Sequence, residues 1–138
     1  MFVMKAFISH SWADNKQIEP FVNYIKTYFG EDDIEYDVWK VKPGDSIIQF
    51  MDDALQNFDY FFFFISKNSL SSYMVSLEWK NALILCKDKK RKFVPIILDD
   101  VQLPAILTDI NHINAFAEGF NSAKNRIDQL FDKSNHID

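Results

Sequence analysis

The sequence predicts an α/β fold: a parallel sheet of five strands covered by helices on both faces. Two observations carry this. Strand-like and helix-like patterns alternate five times along the 138 residues, and strict βαβ alternation implies parallel pairing through right-handed crossovers. The run Tyr60-Phe61-Phe62-Phe63-Phe64-Ile65 is continuously apolar, which marks a strand buried on both faces and hence a central one. The length predicts one domain spanning residues 1–138. Fourteen phenylalanines imply a core filled by large rings.

Phe2 to Ile8 reads as the first strand, ending in the polar turn Ser9-His10-Ser11-Trp12. Ile18, Phe21, Val22, Ile25, Tyr28 and Phe29 then recur at helical spacing, and Gly30 ends that stripe. Pro20 predicts that the regular helix begins close to it, with residues 14–17 as a looser lead-in, because an interior proline costs about 3 kcal/mol. Ile34 to Val38 is the second strand. After the loop 39–45, Ser46 with Gln49 three residues on forms a capping-box signature. That helix carries Ile47, Phe50, Met51, Ala54, Leu55 and Phe58 on one broad face.

The phenylalanine-rich third strand follows, and Ser66-Lys67-Asn68-Ser69 reads as a short polar link to the next helix. Val75, Trp79, Ala82, Leu83 and Cys86 form that helix's apolar stripe, which makes Trp79 a packing residue. Phe93 to Leu98 is the fourth strand, with Pro95 predicting a bulge or a place near the sheet edge. A short helical turn should follow Pro104. Ile113 to Phe116 is the fifth strand, and Phe120, Ala123, Ile127, Leu130 and Phe131 mark the last helix.

Composition narrows the function. Fifteen basic and twenty acidic side chains leave a net charge of −5, which argues against nucleic acid, since phosphate binding needs a concentrated basic surface. The single cysteine, Cys86, excludes an internal disulfide and a cysteine zinc site. Three histidines without ligand-like spacing predict no metal. No apolar run approaches the roughly 18 residues of a membrane span, and the first five residues lack a signal peptide's order. The expected location is the cytosol.

The three glycines, Gly30, Gly44 and Gly119, write neither G-x-G-x-x-G nor a P-loop. Strand one ends in Ser9-His10-Ser11, which is the wrong chemistry for the magnesium site of a phospho-receiver. No nucleophile elbow occurs, and the pairs Asp32-Asp33, Asp52-Asp53 and Asp99-Asp100 read as surface charge. One acidic residue stands out. Ligands of open α/β sheets sit beyond the carboxyl ends of the strands, and Glu78 follows the third strand early in the next helix. By itself it reads first as an exposed helix carboxylate, as most glutamates are.

In order, these segments resemble a known family. Phe7-Ile8-Ser9-His10-Ser11 resembles the first box of Toll/interleukin-1 receptor (TIR) domains. Asp37-Val38-Trp39 followed by Lys42-Pro43-Gly44-Asp45-Ser46 resembles the second box and its long loop. Ser66, then Ser72 with Glu78 six residues later, resembles the helix bearing the catalytic glutamate of NAD-cleaving members, and Phe93-Val94-Pro95-Ile96 resembles the strand after it. The resemblance spans essentially the whole chain, on the side of bacterial single-domain members.

The resemblance implies a flavodoxin-like three-layer fold and one of two activities. One is hydrolysis or cyclisation of NAD+ as a substrate, without a further cofactor, in bacterial defence or signalling. The other is a scaffold acting through TIR–TIR self-association or contacts with another signalling protein. For the enzyme, Glu78 would be catalytic, and Phe7, Ser9, His10 and Ser11 would wall the pocket. Ser72, Tyr73 and Met74 would flank the glutamate. Asp37 at the end of the second strand, with Trp39 and Gly44 of the loop after it, would bind substrate, and Lys40 and Lys42 would offset pyrophosphate charge. His10 could instead cap its loop, and Asp37 could orient the loop. Enzymatic relatives carry a tryptophan four residues before the glutamate, where this chain has Met74.

A third class, a flavin carrier, lacks a visible phosphate loop. The chemistry suits a single carboxylate. Glycosidases usually need two, because their leaving group must be protonated. Nicotinamide leaves NAD+ neutral from a cationic ring, so only the positive charge growing on the ribose needs an anion.

Overall fold

A computed structural model describes residues 4–30, 33–35, 43–88 and 90–131. Five parallel strands lie in the order β2-β1-β3-β4-β5. They are β1 (Ala6–Ser9), β2 (Ile34–Glu35), β3 (Tyr60–Ile65), β4 (Lys92–Ile97) and β5 (Ile113–Asn114). The helices are α1 (Asn15–Ile25), α2 (Ile47–Leu55), α3 (Lys67–Ser71), α4 (Tyr73–Leu85), α5 (Ala115–Glu118) and α6 (Phe120–Phe131). Among the described residues no helix is long and apolar enough to cross a membrane.

The central strand is β3, bonded to β1 on one side and β4 on the other. Its side chains alternate between two cores, as a two-fold pleat requires. Phe62 and Phe64 face α1 and α6, packing with Ile18, Val22, Ile25, Ala123 and Ile127. Phe61, Phe63 and Ile65 face the other layer, with Leu55 of α2 and Val75, Trp79 and Ala82 of α4. All four phenylalanines are fully buried, each removing about 1.5–3 kcal/mol of apolar surface from water. Large rings thus wedge both helical layers onto one strand.

Several boundaries depart from the sequence reading. The first strand starts at Ala6 and includes Ser9. Pro20 lies inside α1, which begins at Asn15 after a 3₁₀ turn over Trp12–Asp14. Pro20 is exposed and sits five residues after the helix start, where its missing N–H costs one helical bond. The supposed link after β3 is the helix α3, closed by a capping box. Ser66 Oγ accepts from Ser69 N at 3.0 Å, and Ser69 Oγ accepts from Ser66 N at 2.8 Å. The expected strand Ile113–Phe116 stops at Asn114, whose side chain accepts from Ala117 N at 3.0 Å and starts α5 instead. Ser46 does cap α2, accepting from Gln49 N, but the Gln49 side chain turns to Asp53. The side chains of Ile47, Phe50 and Met51, and residues 36–38 of the second strand, lie outside the described residues.

Pro95 forms no bulge, and it does lie near the sheet edge, on the side of β4 that β5 leaves open at that residue. Lys92 N and Leu98 N donate to carbonyls on the β3 side, so odd-numbered residues of β4 direct their backbone groups toward β5. The β5 ladder begins only opposite Ile96. Pro95 therefore occupies a position with no bond to lose.

Candidate active site

The carboxyl edge of β1 and β3 gathers the buried polar side chains. Among the described residues these are Ser9, Asp14, Ser66, Ser69 and Glu78. Each arrives there for a local reason. Ser9 is the last residue of β1 and points away from the helical layer that holds Ile8. Asp14 closes the 3₁₀ turn that follows, capped by Ser11. Ser66 is the first residue after β3 and caps α3. Ser72 ends α3 and caps α4, its Oγ accepting from Val75 N at 3.3 Å.

Glu78 lies two turns into α4 on the helix's buried face, at the spacing Val75, Glu78, Trp79, Ala82. Its side chain is 6% exposed, and Oε1 accepts a hydrogen bond from Ser9 Oγ at 2.8 Å. Burial pushes the carboxyl up to about 7, and the Ser9 bond pulls it partly back. Glu78 is therefore not a solvated helix carboxylate, and among the described residues it is not a member of an ion pair. It is a desolvated acid that changes charge near neutrality, held by one hydroxyl at the place where an open α/β sheet takes ligands.

The other predicted residues divide by position. Ser9 is in direct contact with Glu78. His10 and Ser11 continue the same turn, with His10 Nε2 and Asn15 Oδ1 2.8 Å apart and Ser11 Oγ accepting from Ala13 N at 3.3 Å. Phe7 is 4% exposed and stacks on Phe61 at 5.1 Å between ring centroids. It belongs to the core layer beneath the edge. Ser72 is committed to capping α4. Tyr73 is 74% exposed and Met74 half-buried at the same helix start. Gly44 is exposed, with φ +92° that favours glycine. Asp37, Trp39, Lys40 and Lys42 lie outside the described residues. Trp79 stacks on Phe63 at 5.6 Å as a core residue.

Sequence reasoning missed Asp14 and Asn68. Asp14 is 5% exposed, accepting from Ser66 Oγ at Oδ2 and from Asn68 Nδ2 at Oδ1, the latter at 2.9 Å. Asp99, read as surface charge, accepts from Lys67 N at 2.9 Å and caps α3 from outside. The available signal for Asp14 was weak: an acid three residues after a turn serine, hidden by the expectation of a loose lead-in. The signal for Glu78 was stronger, since it occupies a core position of an otherwise apolar helical stripe.

A family model for the TIR domain matches residues 6–131. No curated protein matches the chain in sequence. Among solved structures, the chain is similar to the TIR domain of the Toll-related Receptor TRR-2 from the lower metazoan Hydra magnipapillata. That match has a TM-score of 0.69 and 13% identity, covering 91% of this chain and 94% of the other. At that identity it speaks for the fold alone, while the family match covers most of the chain. The chain belongs to the TIR domain family.

Proposed function

We propose, on the premise of TIR membership, that this domain cleaves the bond between nicotinamide and ribose in NAD+, with Glu78 as the reacting carboxylate. One observation carries the reading. A glutamate desolvated at the carboxyl edge of a parallel sheet, bonded among the described residues to Ser9 Oγ at 2.8 Å, is costly to keep ionised. Such a cost is expected where charge is used in chemistry. The strand order adds support, because a 2-1-3-4-5 sheet of the flavodoxin-like kind binds ligands beside its first strand.

The bond between the anomeric carbon and the pyridinium nitrogen breaks heterolytically. Its electron pair neutralises the ring, so nicotinamide leaves without a proton. Positive charge grows on the ribose, and the Glu78 carboxylate stabilises it across a water-poor gap. Water then adds to the anomeric carbon and passes its proton to Glu78, giving ADP-ribose. Attack from within the same molecule gives a cyclised product. A carboxyl poised near 7 suits both the anionic and the proton-accepting step. Ser9 orients the carboxylate, the His10–Ser11 turn and Tyr73 flank the substrate, and the segment 39–46 completes the site through self-association in bacterial defence or signalling.

The second reading is a scaffold that only assembles, and Met74 in the place of the usual tryptophan favours it. Nicotinamide release from NAD+, followed as protein concentration rises, separates the two. The enzyme predicts turnover that climbs faster than linearly with concentration and falls at least about a hundredfold in Glu78→Ala. Equal background from both proteins at every concentration, with self-association retained, leaves the scaffold.

A further inference from the structure

Asp14 and Glu78 are the two buried carboxylates among the described residues, and they sit in a closed circuit. The chain runs from Ser9 through the 3₁₀ turn to Asp14. Asp14 bonds across to Ser66 and Asn68 at the start of α3, fifty-odd residues away in sequence. From there α3 and the Ser72 cap lead directly into α4 and Glu78, and Glu78 accepts from Ser9 to close the ring. Two side-chain bridges thus join the segment after β1 to the segment after β3, and no third one reaches Glu78 among the described residues.

A carboxylate suits the first bridge because it has two acceptor oxygens and no donor. Both bonds are therefore fixed in polarity, with Ser66 and Asn68 donating. Ser66 Oγ also accepts from Ser69 N, so the same hydroxyl that anchors Asp14 caps α3. Asp14 makes no ion pair among the described residues, and burial is the largest cause of the upward push on Glu78. Among the described residues the path between the two acids runs through covalent chain and hydrogen bonds.

We propose that Asp14 is a positioning residue for the Glu78 site: by fastening the turn after β1 to the start of α3, it sets where α4 carries Glu78 against Ser9. The proposal rests on reading Glu78 as the reacting carboxylate. Its removal frees α3 and α4 to shift against β1 while the α3 capping box remains. Misplacement of about 1 Å is enough to cost roughly a hundredfold in rate.

The test compares the parent with Asp14→Ala, Asp14→Asn, Ser66→Ala and the double variant Asp14→Ala/Ser66→Ala, after circular dichroism has shown each folded. Turnover of NAD+ gives kcat and KM. Separately, ¹³C-NMR follows the titration of the Glu78 side-chain carboxyl, which needs no turnover. Asp14→Ala and Ser66→Ala should each lower kcat by about tenfold to a hundredfold, with KM moving less, and the double variant should be no worse than Ser66→Ala, which already loses both the brace and the α3 cap. The Glu78 midpoint should fall toward its ordinary value as water reaches the carboxyl. Asp14→Asn drops the charge but keeps an acceptor for Ser66, and the exposed Asn68 amide can turn over to accept from the new Nδ2, so with both arms kept it should retain the parent's midpoint and most of its kcat.

The proposal is overturned if folded Asp14→Ala keeps the parent's midpoint, or if Asp14→Asn falls as far as Asp14→Ala, which would make charge the cause. Should the parent never turn over NAD+, the reading of Glu78 fails while the titration alone still judges the brace. Should Asp14→Ala not fold, Asn68→Ala removes one arm at an exposed residue and must shift the midpoint in the same direction.

Discussion

Replacing Glu78 by glutamine should make the fold more stable at alkaline pH, by an amount that the structure bounds. In the unfolded chain the carboxyl titrates near 4.5, and in the fold burial raises it to about 7. Between those values the folded state holds a proton that the unfolded state has lost, so folding stability declines as pH rises across the window. At 1.36 kcal/mol for each pKa unit, the gap amounts to about 3 kcal/mol of stability that is intact at pH 4 and gone by pH 8. Glutamine has nearly the same shape, never ionises and can still accept from Ser9. Its amide nitrogen needs a partner in a buried place, which takes back about 1 kcal/mol.

The net gain at pH 8 is then about 2 kcal/mol, or roughly 5–10 °C in Tm for a domain of this size. Thermal unfolding of parent and Glu78→Gln at pH 4.5 and pH 8 measures it, and every other titrating group is common to both proteins. The difference between the two should open as pH rises. A difference equal at both pH values, or a parent more stable at pH 8, would refute the argument that Glu78 is held desolvated.

Two further outcomes follow from the same geometry. Ser9→Ala removes the hydroxyl that lowers the Glu78 carboxyl. A hydrogen bond to a charged group contributes about 1.5–3 kcal/mol, so the acid limb of the pH–rate profile should move up by about one to two pH units, and an unmoved limb excludes the bond as a control on Glu78. Tyr73→Ala, at an exposed helix start, should change stability by less than about 0.5 kcal/mol. A rise in KM for NAD+ with unchanged Tm marks Tyr73 as a substrate contact, and unchanged kinetics removes it from the site.

The layers were legible wherever periodicity and burial coincide. Tyr60–Ile65 is a strand because an uninterrupted apolar run has two faces to bury, and the helices on each side supply matching stripes. The features that escaped are made by polar side chains acting on local backbone. Ser66 with Ser69 turns a supposed link into α3, and Asn114 cuts the last strand short. Hydropathy patterns do not register such caps, because the energy lies in single hydrogen bonds.

For the site, the sequence marked Glu78 by its place after the third strand and Ser9 through the resemblance of its turn to the first TIR box. It left open whether that glutamate is solvated. Only the packed tertiary structure decides this, because desolvation depends on what Trp79, Ser9 and the neighbouring strands place around the carboxyl. The same holds for Asp14. Its two partners come from a distant segment, and a contact across fifty residues exists only once both strands lie side by side in the sheet.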